Sequence, residues 1–291
     1  MVDFIPTYEP VIRLAIFAAI FVIMAAGELI WPRRSQALGR VQRWPSNLAV
    51  AALDAVLVRT ILPMGAVALA TLAEVKGWGL LNAYVVSKWY AIPIAIIVLD
   101  FAIYLQHVLF HAVPVLWRLH RMHHADLEFD VTTGGRFHPI EIVLSMVIKF
   151  AVVTALGAPP IAVLVFEVLL NATAMFNHSN MRLSSGFDRV LRWFVVTPDM
   201  HRVHHSVVVQ ETNSNFGFNL PWWDRLLGTY RDQPAAGHQA MVIGVNEIRE
   251  PREQRLDRML TQPFRIKTGQ LLEPISGVAP LTSPLRDGNL K

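Results

Sequence analysis

From residue 11 to 30 the chain is almost continuously apolar, long enough as a helix to cross a bilayer. A polar stretch follows, W-P-R-R-S-Q-A-L-G-R-V-Q-R-W, carrying Arg33, Arg34, Arg40 and Arg43. Apolar character returns over 47–72, interrupted by Asp54 and Arg59, and again over 90–110 after a short connector (76–88) with glycine and aromatic residues. Residues 140–176 are largely apolar but are broken at G-A-P-P (157–160), which predicts a helical hairpin of two spans. Beyond it the pattern turns polar. Residues 185–194 read as an interfacial amphipathic helix with aromatic and basic faces, 247–260 as a short helix, and the last twenty residues as disordered.

Charge gives these spans an orientation. The first apolar segment has no basic leader and no small-residue cleavage site, so it reads as a span rather than a signal peptide. The arginine-bearing loop after it belongs on the cytoplasmic side, which leaves the N-terminus outside. Counting onward puts 76–88 outside and both His107–His138 and 177–180 in the cytoplasm. The expected fold is an all-α integral membrane protein of four to five transmembrane helices with a cytosol-facing helical cap, in a bacterial inner membrane. Its expected parts are N-terminal helices (1–88), a catalytic domain (89–232) and a polar extension (233–291). Composition agrees, with 53% hydrophobic and only 16% charged residues. The net charge of +4 is scattered between apolar segments and calls for no nucleic-acid partner. Glu28 falls at the expected interface. Asp54 and Arg59 either pair or face a cavity. Asp100, seven residues before His107 on one helical face, either orients a histidine or caps a polar pocket.

The chemistry lies in the histidines. Five of the eleven fall within residues 107–124: His107 and His111 as H-x-x-x-H, then His120, His123 and His124 as H-x-x-H-H. A second H-x-x-H-H recurs at His201, His204 and His205, and single histidines stand in F-H-P (His138) and N-H-S-N (His178). Spacings of three and four put rings on one helical face. A lone histidine near a helix end is ordinarily a cap or a satisfied core group. Eight at these spacings would leave many buried ring nitrogens unsatisfied unless they held metal. The chain has no cysteine, so disulfides, thiolate zinc sites and cysteine-ligated iron–sulfur clusters are excluded. Neither cluster contains the glutamate of H-E-x-x-H, since the inner residues are Arg121, Met122, Arg202 and Val203. Zinc hydrolysis is therefore disfavoured. A histidine-rich metal transport or storage protein stays open as the non-oxidative alternative.

The ordered series, with R-F-H-P, H-S-N and the W-D-R-L-L-G-T-Y run that follows the last cluster, resembles the fatty acid hydroxylase/sterol desaturase superfamily over roughly residues 90–232. The resemblance implies two iron ions (Fe2+/Fe3+) held almost wholly by imidazoles, O2 as co-substrate, and oxidation of an unactivated C–H bond in a membrane lipid. It implies His107, His111, His120, His123, His124, His178, His201, His204 and His205 as catalytic metal ligands, with His138 either a ligand or a support for one. No electron carrier is fused to the chain, so electrons are expected from a separate electron-transfer protein. Hydroxylation and desaturation stay open, as do the oligomeric state and the substrate, whether fatty acyl chain, sterol or hopanoid, carotenoid or ether lipid. Asn180 and Asn215 either hold a water or a ligand histidine or serve as turn residues. Trp222, Trp223 and Tyr230 either sit at headgroup level or pack internally.

Overall fold

The computed structural model describes residues 4–265, so the disorder expected of the last twenty residues lies outside the described residues. The helices are α1 (Phe4–Ile30), α2 (Arg40–Ile61), α3 (Ala66–Lys76), α4 (Leu80–Ala83), α5 (Lys88–Ala112), α6 (Pro114–His124), α7 (Pro139–Leu156), α8 (Pro160–Asn177), α9 (Ser185–Leu191), α10 (Pro198–His204), α11 (Val209–Thr212), α12 (Trp222–Leu226), α13 (Gly237–Ala240) and α14 (Leu256–Arg265). Among the described residues extended pairing amounts to isolated bridges, so the fold is all-α. Five stretches are long and apolar enough to cross a membrane: Val11–Ile30, Arg40–Ala83, Lys88–Ala112, Pro139–Leu156 and Pro160–Asn177. Their outward faces carry Leu14, Val22, Ile23, Val56 and Val147, all exposed, as lipid contact requires.

Proline decides several boundaries. It opens α6, α7, α8 and α10, where its missing N–H costs no helical bond. The second apolar stretch, expected as one span over 47–72, is interrupted between α2 and α3. Pro63 pushes Leu62 out of helical geometry, to φ −124° and ψ 68°. Residues 247–260 also differ from expectation. Pro251 opens a 3-10 turn (Pro251–Gln254) and α14 begins only at Leu256. The helix expected over 185–194 stops at Leu191, leaving Trp193 and Phe194 exposed beyond it.

The two ends of the bundle differ in character. At one end the connector between α3 and α5 abuts the α7–α8 turn so closely that a Cβ on Gly79 would fall on the Gly157 backbone. At the other end the loop after α1 meets the segment after α8, through Arg33 N–H to the Asn180 carbonyl (2.7 Å) and Arg182 N–H to the Trp31 carbonyl (2.8 Å). Glu28, expected at the interface, is buried there. It accepts from Val131 N (2.7 Å) and Asn180 N (2.8 Å) and pairs with Arg40 (2.9 Å). Arg43, also buried, holds Asp126 (2.7 Å) and Asp130 (2.7 Å) in the loop after α6. The successive spans therefore run to and from this end in alternation, and the loops that meet there enclose the histidines.

Candidate metal centre

Nine imidazoles converge at the polar end of the bundle in two groups. One comprises His107 and His111 of α5, His120 and His124 of α6, and His204 of α10. The other comprises His123 of α6, His178 just after α8, His201 of α10 and His205 at its C-terminal cap. Within each group one nitrogen per ring lies within 4.8 Å of all the others, and every ring is buried. Helical spacing explains the division. In each H-x-x-H-H the i, i+4 pair serves one group and the i+3 ring turns to the other. The two motifs do this in opposite senses, so α6 and α10 lace the groups together. His124 and His205 stack between them with centroids 4.5 Å apart.

Neighbouring atoms fix which nitrogen faces inward. A carbonyl only accepts, so the ring nitrogen beside it carries the proton and the opposite nitrogen keeps its lone pair. His107 Nδ1 donates to the Phe216 carbonyl (2.8 Å), His204 Nδ1 to Ser214 (2.7 Å) and His178 Nδ1 to Ala174 (2.8 Å). Asn213 Oδ1 (3.3 Å) serves His111, and Glu141 Oε1 (2.6 Å) serves His120 in the same way. Asp224 stiffens the first of these acceptors by taking hydrogen bonds from Phe216 N (2.7 Å) and Gly217 N (2.8 Å).

The inward nitrogens are left in conflict. The Nε2 atoms of His107 and His120, of His123 and His178, and of His178 and His201 approach to 3.1 Å. His111 Nε2, His204 Nε2, and both nitrogens of His124 and His205 are buried without a hydrogen-bond partner among the described residues. Buried nitrogens in this state each cost on the order of 1–3 kcal/mol. Cations accepting their lone pairs would remove that cost, so the donor set fits two metal ions. Burial pushes His120 and His178 down to about 3 and holds His123, His124, His201, His204 and His205 well below the ordinary imidazole range. They stay neutral, which is the form that binds metal. Aromatic rings close the surroundings. Phe137 stacks on His123 at 4.4 Å, and Trp117 lies 4.8 Å from His111.

Other candidates lie apart from both groups. His138 caps α7, its Nδ1 accepting from Ile140 N (3.2 Å) and its Nε2 facing the Leu260 carbonyl (3.2 Å). Asp100 touches no histidine; it accepts from Trp223 Nε1 (2.8 Å) and ties the segment around α12 to α5. Asn180 binds the Arg34 carbonyl (2.8 Å), while Asn215, at φ +53°, binds the Met200 carbonyl (2.9 Å). Neither serves a histidine; each joins two separate segments, Asn180 also accepting from Arg34 N (3.3 Å) and Asn215 from Arg231 N (2.8 Å). Trp223 packs on Phe101 at 4.7 Å, whereas Trp222 is exposed. Among the described residues no ion pair joins buried Asp54 to exposed Arg59; Asp54 lies within electrostatic reach of Glu141 instead. Glu141 and the acceptor carbonyls are absent from the sequence-derived set. A lone glutamate in the first turn of an apolar helix was the available signal, and backbone acceptors leave none.

The fatty acid hydroxylase family model matches residues 92–229, a stretch containing all nine clustered histidines. This segment belongs to the fatty acid hydroxylase superfamily. Ornithine lipid hydroxylase OlsE of Rhizobium tropici is 32% identical over 145 residues, covering 50% of this chain and 43% of that protein. Alkylglycerol monooxygenase of Xenopus tropicalis is 30% identical over 132 residues, covering 45% and 28%. Delta(7)-sterol 5(6)-desaturase of Eremothecium gossypii is 30% identical over 133 residues, covering 46% and 35%. The chain thus spans less than half the length of each of these relatives. No solved structure gives a significant match. The fatty acid hydroxylase segment runs from α5 through α12, so it supplies every ring of the centre and all five acceptors named behind them.

Proposed function

We propose that the chain is a membrane oxygenase that uses O2 to oxidise a C–H bond of a lipid at a di-iron centre held by these nine imidazoles. The observation that carries this reading is the pair of buried groups, five rings and four, with lone pairs converging and no carboxylate among the donors. Neutral imidazole suits Fe(II), and five and four donors leave each ion short of six-coordination. The named relatives, a lipid hydroxylase, a monooxygenase and a sterol desaturase, support oxidation of lipid carbon.

Iron bound there would supply O2 activation, which no side chain provides. The balance needs two electrons and two protons per O2 from an external carrier. In hydroxylation one oxygen atom enters the C–H bond and the other leaves as water. In desaturation two hydrogens leave the lipid and both oxygen atoms become water. The chain's own residues hold and shield. The carbonyls of Phe216, Ser214 and Ala174 keep three rings in one tautomer, and Glu141 does so for His120. Phe137, Trp117 and Phe216 wall the centre and exclude water from it. The arginine-rich loop at the same end of the bundle supports a cytoplasmic centre, reachable by a soluble electron donor.

Reduced, iron-loaded protein in membranes from its source, supplied with 18O2, tests the reading. Heavy oxygen in a lipid, or a lipid two hydrogens lighter with heavy oxygen in water, is the expected result. Iron-replete, reduced protein that consumes no O2 in the presence of those lipids would overturn it.

A further inference from the structure

A polar cleft of about 490 Å³ opens beside the centre, between α9, the start of α10 and the loop after α1. We propose that this cleft binds the anionic headgroup, a phosphate or a carboxylate, of the membrane lipid on which the centre acts. The lipid's role as substrate rests on the function proposed above; binding of the headgroup does not.

The cleft has a fixed frame and a free rim. Arg192, only 4% exposed, is held by Asp188 and by Asp232 (2.6 Å), and Arg33 by Asp199 (2.9 Å). Arg182 and Arg189 line the same cleft but are exposed, and among the described residues no carboxylate pairs with either. Two unneutralised guanidiniums on a braced frame are a receptor for a multi-oxygen anion. His238 gives a second, independent sign of a ligand. It lines the cleft at 5% exposure, yet neither ring nitrogen makes a hydrogen bond among the described residues. Asp199 Oδ2 lies 3.6 Å from its Nε2, beyond hydrogen-bonding distance. A ligand group reaching His238 would satisfy an atom that is otherwise costly to bury.

The surroundings identify the anion's source. Phe187, Val190, Trp193 and Phe194 on and after α9 are 57%, 61%, 55% and 64% exposed, an apolar surface next to the charged cleft. Aromatic and aliphatic groups bordering guanidiniums are what a bilayer interface accommodates, so acyl chains have a surface to follow away from the headgroup. Free phosphate would have no use for that surface. Asp199 on the cleft wall and His201 in the centre are two residues apart on α10. A helix is about 10–12 Å across, so an anchored headgroup lies within roughly that distance of the histidines. A headgroup-bearing acyl or ether lipid fits this arrangement; a sterol or carotenoid, without an anionic group, leaves the two arginines unused.

Native mass spectrometry of the full chain in detergent tests the site with three probes: phosphatidylglycerol, diacylglycerol and inorganic phosphate. One phosphatidylglycerol per chain should be retained where diacylglycerol is lost, and excess inorganic phosphate should not displace it. The R182Q/R189Q double variant should retain it about ten-fold less, a loss of roughly 1.4 kcal/mol, with an unchanged thermal midpoint because both residues are exposed. Equal retention of diacylglycerol, or undiminished retention by the variant, would overturn the site. Full displacement by inorganic phosphate would overturn the lipid as its ligand. Retention needs no iron, O2 or reductant. A chain that retains phosphatidylglycerol but oxidises nothing therefore refutes the oxygenase alone, and one that oxidises a sterol without retaining it refutes the cleft alone.

Discussion

His123 and His204 are each the i+3 member of an H-x-x-H-H, and each serves the group its two companions do not. Removing either ring opens one group while the other keeps all of its donors. His123→Ala or His204→Ala should lower bound iron and reduce turnover at least 100-fold, while membrane insertion is unchanged; full activity would remove that ring from the ligand set. His138→Ala should keep its iron, because both its nitrogens face backbone atoms. Glu141→Gln should weaken metal binding by about 10–100-fold, the usual cost of disturbing the partner behind a ligand. His238 supplies a test in acid. Burial holds it down at about 4, against an ordinary value of 6.5. Between those values the unfolded chain binds a proton that the folded chain refuses, so stability falls as pH drops from 6.5 towards 4, by at most about 3 kcal/mol. His238→Asn should lessen the fall of the thermal midpoint over that window by this share, while the clustered histidines, also held low by burial, keep the rest of it. Eight of the nine rings were legible because helical spacing repeats in the sequence, and His178 because the span count returns the chain to the same end there. The carbonyls behind them were not, since every residue has one, and the position of His138 depends on Leu260, far along the chain.

The helices were legible where apolar length and proline agree, as in the α7–α8 hairpin. Where they disagree, length still counts the crossing but misses the break. Residues 47–72 lie in one span, as expected, yet Pro63 interrupts its helix. Side-chain networks between elements left still less trace. Arg43 reads from sequence as one more basic loop residue, yet it is fully buried between Asp126 and Asp130 and ties α2 to the loop after α6. Arg43→Met should strand those carboxylates and destabilise the protein by about 3–5 kcal/mol. Chemical unfolding measured at the histidine end would register the loss, and a shift below 1 kcal/mol would show the network to be dispensable. At the opposite end, Gly79 holds φ +88° with the Gly157 backbone against it. Gly79→Ala should lower the thermal midpoint, combining backbone strain with a clash that only main-chain movement relieves.

Across the whole molecule, five spans place the connector before α5 and the histidine loops at opposite ends. The chain lacks cysteine, so single cysteines report sidedness cleanly. A cysteine at Tyr84 should react with an impermeant maleimide from outside the cell and one at Glu250 only after lysis; labelling of both from one side would contradict the five crossings. This alternation follows from counting apolar segments, whereas the cleft beside α9 emerges only when residues 33, 182 and 238 meet in space. The central claim is that the two imidazole groups hold iron, and metal analysis of the purified chain with a Mössbauer spectrum tests it most directly. About two irons per chain in a nitrogen-rich, mutually coupled site is the predicted result. Two zinc ions that iron does not replace would leave the geometry intact and contradict the oxygenase.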